Sequence, residues 1–540
     1  MRPALNHKTS RHNDLRHQTT TVATESPVPP DELTLGLRRY LVATVSLSGA
    51  AVLIVEILGA KMLAPYVGTS HFVWTAQIAV TLLALAAGYA VGGWVADRFS
   101  QLRVLYTALM AAGVWLCGAA WACEPVAFAS LRFRLALGSL LASAILFFVP
   151  LALMAMVGPL AVRKLTSSVS TLGQSVGTLS AVSTAGSVGG TVLIAYVLIP
   201  FLANSSIIYL TASYLVLLSA GYFLIWSRHS KTRALVGMAA AAALIFGGSQ
   251  EAVASVPGVD ELFRANSNFG LIQVVQTRQA HPMRLFLNDL LMQNLYDPVR
   301  HESAAEFSFM EEALMGAYLP EPVHDLLCIG LGAGVVPMRM TQKGVRVDVV
   351  EINPVIVEAA ARFFDFDASR VRLEVGDGRY FLHENAKQYD VIIFDAFLGD
   401  APPSHLMTKE AFQAVQHRLR PNGLLIINSW GRLEEGQDYV PASLHKTLKS
   451  VFRNVRAHAT SGAVFFAASD GLDLHVVRQP DLSFVPADLR AETQRAVNHQ
   501  ETPDPAHGTV LTDNYNPVEY RDAQHREELR RKLVDFVLGR

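Results

Sequence analysis

The sequence predicts two classes of structure in one chain: an α-helical multi-span membrane domain, then an α/β Rossmann-like domain with a small β-region before it. Two observations carry this. From Tyr40 onward, long apolar stretches succeed one another at roughly 40–60, 72–95, 102–122, 135–160, 176–203, 205–227 and 232–248. Most reach the ~20 residues that cross a hydrocarbon core of about 30 Å. Between 326 and 395 the pattern changes to three short apolar runs, 326–329, 347–350 and 391–394, each closed by Gly or an acid and separated by helical patterns. Buried parallel strands read this way, and their ligand groups sit at the carboxyl ends.

Composition agrees with this division. A chain of 540 residues exceeds one compact domain. Half the residues are hydrophobic and 17% are charged, below the usual quarter of a soluble domain. The formal net charge of -1 gives no bulk attraction to nucleic acid. Cys117, Cys123 and Cys328 form no CxxC pattern, so neither a disulfide framework nor a metal site is expected.

Residues 1–36 are polar, lack the apolar core of a signal peptide, and are expected to be a disordered tail. Residues 37–250 are expected to form a transmembrane domain of six or seven helices, because a soluble bundle would need polar faces that these runs lack. Gly173, Gly177, Gly186, Gly189 and Gly190 crowd the fifth run and its approach, which suits close helix packing in lipid. Orientation follows from the bases: Arg38 and Arg39 precede the first span, Arg98 and Arg103 flank the second loop, Arg163 and Lys164 follow the fourth span, and Arg228, Lys231 and Arg233 follow the sixth. Cytoplasmic loops carry such residues; Arg132 and Arg134 are the exception. If the short run at 234–248 spans, the following domain emerges outside. That run could instead be re-entrant or lie on the surface; an adenosine-type ligand would be scarce outside, so a cytoplasmic domain is expected. Glu56 is costly inside a membrane, and reads either as a cation or substrate contact or as a partner of Lys61. The stretch Gly92-Gly93-Trp94-Val95-Ala96-Asp97-Arg98 resembles the loop after the second helix of major-facilitator transporters.

Residues 251–540 are expected to form the α/β part, with a small β-region at about 256–300, a core at about 301–480 and a tail to 540. Gly270 to Val275 and Leu285 to Leu287 flank a turn and read as a hairpin. A helix is expected from about 303 to 318. The first core strand then ends in Gly330-Leu331-Gly332-Ala333-Gly334, a turn that lets backbone approach a ligand closely. Glu351 closes the second strand about 20 residues on, where an acid meets ribose hydroxyls in doubly wound folds. Gly376-Asp377-Gly378 and Asp395 complete an ordered set that points to an adenosine-type ligand. After Asp395, Gly399, Pro402 and Pro403 mark a loop placed to cover substrates. Leu424 to Asn428 reads as another core strand, and 521–540 as a charged amphipathic helix.

The order Gly-x-Gly-x-Gly, Glu351-Ile352-Asn353-Pro354, Gly376-Asp377-Gly378 and strand-Asp395 resembles spermidine synthase and its polyamine aminopropyltransferase relatives, over roughly 267–430. Leu511-Thr512-Asp513-Asn514, Glu56 through Pro65 and Ser183 through Ser187 resemble the membrane-fused members. The resemblance implies a class I methyltransferase-type fold and a decarboxylated S-adenosylmethionine or S-adenosylmethionine co-substrate held by Gly330, Gly332, Gly334, Glu351, Asp377 and Gly378. Glu351 would hold ribose and Asp377 the adenine amine. Asp395 would prepare the attacking amine, and Gln293, Glu311 and Asp400 would contact the small-molecule amine substrate. It further implies no metal, a possible homo-oligomer, and a multi-pass protein of the plasma (inner) membrane in contact with lipid. The departures concern the substrate. Ala333 stands where the family carries an Asp that contacts the donor's aminopropyl amine and repels the carboxylate of intact S-adenosylmethionine. Asp395-Ala396-Phe397-Leu398 replaces Asp-Ser-Ser-Asp, Phe309-Met310-Glu311 replaces Tyr-His-Glu, and the family's Gln falls at Asn428 or Ser429. Three functions follow: aminopropyl transfer to a polyamine, methyl transfer from intact S-adenosylmethionine, and a transporter or sensor with a non-catalytic domain.

Overall fold

The computed structural model describes residues 33–68, 71–99, 101–166, 171–227, 231–251, 258–397, 403–434, 438–460 and 462–521. Most of the polar tail, Asp400 with its loop, and nearly all of the charged helix expected at 521–540 lie outside these residues. The amino-terminal half is a helical bundle. It comprises α1 (Leu35–Val67), α2 (His71–Arg98), α3 (Leu102–Ser130), α4 (Leu135–Leu165), α5 (Leu172–Leu198), α6 (Asn204–Ile225) and α7 (Lys231–Glu251). The first six are long and apolar enough to cross a membrane. α4 and α5 each contain a widened π-turn, Ala144–Phe148 and Ile194–Leu198, and that of α4 comes close before Pro150. A proline ring crowds the preceding helical turn and removes one donor, and widening the turn relieves both.

Small residues set the tightest contact, between α1 and α5. Ser187 Oγ donates to Gly49 O at 3.0 Å. A Cβ on Gly186 would lie 1.9 Å from Ser46 O, and one on Gly190 2.7 Å from Ala50 O. Gly173, Gly177 and Gly189 face open space, so the expected glycine stripe is a packing face at two of its five positions. α7, the uncertain seventh helix, packs on α3 and α6. Ala234 and Ala241 are buried, Gly237 abuts the Met110 side chain, and Arg233 Nη1 lies 3.4 Å from Thr107 Oγ1. Its 21 residues span about 31 Å at 1.5 Å per residue. Glu56 makes no ion pair with Lys61 among the described residues. Lys61 Nζ instead donates to Asn268 O, 2.7 Å away in the α/β half.

The β-region is a five-stranded antiparallel sheet: β1 (Val259–Ser267), β2 (Gly270–Thr277), β3 (Arg284–Asn288), β4 (Leu291–Asp297) and β5 (Glu302–Ser303), in that order. The hairpin read from sequence is β2–β3; β1 was not expected. β3 and β4 meet through Asp289 and Leu290, both at positive φ, and Asp289 Oδ1 accepts from Leu271 N at 2.9 Å. The helix expected from 303 begins later, because Ser303 still pairs with Tyr296. A 3₁₀ turn, Glu306–Phe309, leads into α8 (Met310–Tyr318).

The core then alternates. β6 (Asp325–Ile329), α9 (Val335–Gln342), β7 (Arg346–Glu351), α10 (Pro354–Phe363), β8 (Arg372–Val375), α11 (Gly378–Glu384), β9 (Tyr389–Phe394), α12 (Lys409–Arg418) and β10 (Leu419–Trp430) are followed by α13 (Tyr439–Lys449), β11 (Asn454–Ala459), β12 (Ala463–Ser469), α14 (Arg490–Asn498) and α15 (Val518–Arg521). The sheet order is β11-β12-β10-β9-β6-β7-β8. Five strands are parallel and β12 runs antiparallel to both neighbours. This is the Rossmann-like, class I methyltransferase-type order. Chain direction across the sheet reverses beside β6, so a crevice opens between the carboxyl ends of β6 and β9. Leu326 and Cys328 feed one apolar layer, Leu327 and Ile329 the other. The two halves touch at one end of the bundle: besides Lys61, the rings of His71 and Phe72 lie 6.2 and 5.8 Å from that of Tyr520.

Gly186→Leu is expected to destabilise the purified protein by the ~1–3 kcal/mol typical of overpacking, whereas Gly177→Leu is expected to be tolerated. Thermal unfolding of the two variants checks this, and equal midpoints would remove the α1–α5 contact from the account.

Candidate active site

The crevice is a cavity of about 320 Å³. Its floor begins with the turn after β6. Gly330, at φ +100°, would place a Cβ 2.0 Å from Asp395 O, so only glycine lets the ends of β6 and β9 meet, where Asp395 N donates to Ile329 O at 3.0 Å. Gly332 at φ +55° continues the turn. Gly334 at φ +76° caps α9 but does not line the cavity; its role is to turn the chain, with Phe366 packed where a Cβ would project. Gly378 lies against Ile329, leaving 2.4 Å for a Cβ.

On one side of the cavity stand Glu351 and Asp377. Glu351 is buried, and its carboxylate accepts from Leu331 N at 3.0 Å and Asn353 N at 2.8 Å. Burial pushes its pKa up to about 7, against the pull of those N–H donors. Asp377 is half-buried. It caps α11 by accepting from Tyr380 N at 2.9 Å, and its second oxygen lies 2.8 Å from His405 Nε2. Burial raises its pKa, but the N–H donors and His405 outweigh it and hold the carboxyl below its ordinary value. His405 was not foreseen. It belongs to a short turn, Ser404–Leu406, reached only after the loop that follows β9. The carboxyl-terminal stretch supports this region: Arg379 Nη1 donates to Asp513 at 2.7 Å, and Asn516 Nδ2 to Ser404 O at 2.9 Å.

On the other side stand Asp395, Glu311 and three asparagines. Asp395 accepts from Asn428 Nδ2 at 2.9 Å; of the two candidates for the family's Gln, Asn428 is therefore the one that reaches the site. Burial pushes the Asp395 carboxyl up to about 6, opposed by that hydrogen bond. Glu311, on α8, is 1% exposed. Burial, then the nearby Asp395, drives its pKa well above the ordinary value. Asn288 and Asn294, from β3 and β4, also line the cavity, as does Gln293. Asn294 is held by Ser308 at 2.9 Å and Ser303 at 3.0 Å. Glu311 Oε2, Asn428 Oδ1 and Asn288 Oδ1 are buried acceptors with no donor among the described residues. Buried acceptors are normally satisfied, so three on one cavity invite a ligand rich in N–H donors. Ala333 is buried at the cavity wall and brings no charge to it.

Among known families, residues 312–462 match the one described as spermine/spermidine synthase domain. The chain is 33% identical over 130 residues to a polyamine aminopropyltransferase of Vibrio vulnificus, covering 23% of this chain and 44% of that protein. It is 32% identical over 144 residues to an N-terminal histidine N-methyltransferase of Emericella nidulans, covering 26% of this chain and 25% of that protein. The chain thus spans under half the length of these relatives. Among solved structures, a probable spermidine synthase from Corynebacterium glutamicum aligns at 20% identity and a TM-score of 0.35, covering 38% of this chain and 80% of that one.

The raised carboxyls have a consequence for stability. An Asp in an unfolded chain titrates near 3.9, and in the fold Asp395 titrates near 6. The folded state therefore holds this proton more tightly, and the cost of burying the charge grows as pH rises from about 4 through 6. Asp395→Asn removes that cost. The variant is expected to unfold at a higher temperature than the parent at about pH 8, with the gap closing near pH 4; an equal midpoint at pH 8 would contradict the burial of this carboxyl.

Proposed function

We propose, from the match of residues 312–462 to a spermine/spermidine synthase domain, that the chain transfers an aminopropyl group from decarboxylated S-adenosylmethionine to a polyamine. The observation that carries this reading is the set of orphan acceptors, Glu311 Oε2, Asn428 Oδ1 and Asn288 Oδ1, around two buried carboxyls. An alkylammonium group offers three N–H donors and a positive charge. It satisfies these atoms and relieves the repulsion between Glu311 and Asp395.

The residues then divide the work. Glu351 presents ribose-binding oxygens fixed by Leu331 N and Asn353 N. Asp377, fixed by Tyr380 N and His405, borders the base. The Gly330 turn brings backbone beside the sulfonium. Glu311 anchors the acceptor cation. Asp395 takes the proton of the attacking nitrogen, since an amine with a pKa near 10.4 is mostly protonated at neutral pH. As the C–N bond forms, the C–S bond breaks, and the sulfonium leaves as a neutral thioether. That leaving group needs little activation, so alignment supplies most of the catalysis. The apolar helices α1–α6, with α7, are read as embedded in a lipid bilayer.

Methyl transfer from intact S-adenosylmethionine is the second reading, favoured by Ala333. Without a carboxylate at position 333, a donor carboxylate loses that source of repulsion and a donor aminopropyl ammonium loses that partner. The similarity to an N-methyltransferase supports the same alternative. The transporter or sensor reading accounts less well for Asp395 at the strand end.

Calorimetry of both donors with the full chain, followed by the mass of the product formed from a polyamine, separates the readings. Aminopropyl transfer predicts preference for the decarboxylated donor and a product heavier by an aminopropyl group; a methylated product would overturn it. Glu311→Gln is expected to raise the acceptor KM by roughly 10- to 100-fold, the worth of one charged hydrogen bond. Asp395→Asn is expected to lower kcat about 10²- to 10⁴-fold with donor affinity kept. For the parent, kcat/KM is expected to rise with pH through about 6 as Asp395 ionises.

A further inference from the structure

The bundle has two chemically different ends, and the α/β domain sits on the less basic one. Consecutive helices joined by short connections alternate in direction. The close contacts bear this out. α1 and α5 run parallel, since Ser46 meets Gly186 and Ala50 meets Gly190. α3 and α7 also run parallel, since Thr107 meets Arg233 and Met110 meets Gly237. α1, α3, α5 and α7 therefore all start at one end. That end carries Arg38 and Arg39, Arg98 and Arg103, Arg163 and Lys164, and Arg233. The domain touches the opposite end: Lys61, near the close of α1, reaches Asn268, and His71 and Phe72, at the start of α2, stack on Tyr520. Tyr66 and Phe128, late in α1 and α3, meet at that same end at 5.2 Å between ring centroids. α7 closes the path, because its 21 residues carry the chain about 31 Å from the basic end to the domain.

We infer that the α/β domain and its cavity lie on the non-cytoplasmic side of the membrane, so that a transport step must supply the adenosyl co-substrate. Lys and Arg mark cytoplasmic loops, and the domain is held at the other end. Of the bases at the domain end, Lys61 is engaged by Asn268 O; Arg132 and Arg134 are outweighed by the seven bases named opposite. This reverses the cytoplasmic placement expected from chemistry alone. A sulfonium nucleoside is a permanent cation, and an unpaired charge does not enter hydrocarbon without a large penalty. If the donor is made in the cytoplasm from a nucleoside triphosphate, carrier-mediated export precedes its use here.

The inference rests on the bilayer reading of α1–α7, and one experiment separates the two. Cys117, Cys123 and Cys328 are buried, so single exposed cysteines report accessibility. Gln279→Cys lies in the β2–β3 turn and Gln101→Cys between α2 and α3, both at exposed positions. Each full-length variant, expressed in bacterial spheroplasts, is treated with a membrane-impermeant maleimide. The expected result is Gln279→Cys labelled equally before and after permeabilisation, and Gln101→Cys labelled only after it. Labelling of Gln279→Cys only after permeabilisation would overturn the placement. Release of the chain by carbonate washing would overturn the bilayer reading itself. A full-chain fusion to alkaline phosphatase after Arg540 tests the side without substitution, because that reporter needs the disulfides of an oxidising compartment; an inactive fusion that is present at full length would also overturn the placement.

Discussion

The site depends on one close approach of backbone to backbone. Where β6 ends, Gly330 leaves no room for a side chain against Asp395 O. Any residue with a Cβ would push the ends of β6 and β9 apart. That contact places the Gly-rich turn, Glu351 and Asp395 around a single crevice, and α8 delivers Glu311 to the same place. The result is a concentration of carboxyls with limited access to water. Their raised pKa values follow first from that loss of water, and sites that shift pKa in this way are where chemistry is to be expected.

The two sides of the cavity solve the same problem differently. Glu351 is stabilised from within the fold, by two N–H groups at fixed distances. Its geometry is set before any ligand arrives. Glu311 has no such support at Oε2, and its neighbour Asp395 makes matters worse. Its charged form is favourable only with a cation beside it. The Glu351 side is thus preorganised, while ionising the Glu311 side carries an electrostatic cost that, on the proposed function, a bound amine offsets.

The sequence made the first side legible and hid much of the second. Gly330, Gly332, Glu351, Asp377 and Asp395 fall at turns and strand ends that a local pattern reveals. Gly334 was grouped with them, yet it only turns the chain into α9. Asn288 comes from a different sheet, and His405 lies beyond an irregular loop; no short-range spacing links either to the core. Glu311 was found through resemblance, because a helical acid looks the same whether it faces solvent or a cavity. Asp400 stays an expectation from the loop alone. In the bundle, composition marked five glycines, but only the fold distinguishes Gly186 and Gly190, against α1, from those that face outward. β11 and β12 were missed because an antiparallel closing pair carries no motif.

The bundle and the nucleoside side share a boundary. Lys61 Nζ donates to Asn268 O. The adjacent Ser267 Oγ accepts from Asn353 Nδ2 at 3.0 Å, and Asn353 N donates to Glu351. A continuous set of polar contacts thus runs from the end of α1 to Glu351. The second contact behaves alike: Tyr520 stacks near His71 and Phe72, and Asn516, four residues earlier, holds the turn that carries His405. Both carboxylates of the nucleoside side are therefore braced by segments that also touch the α1–α2 end of the bundle. Packed interiors transmit displacement rather than absorb it, so the position of that end and the geometry of the nucleoside side constrain one another.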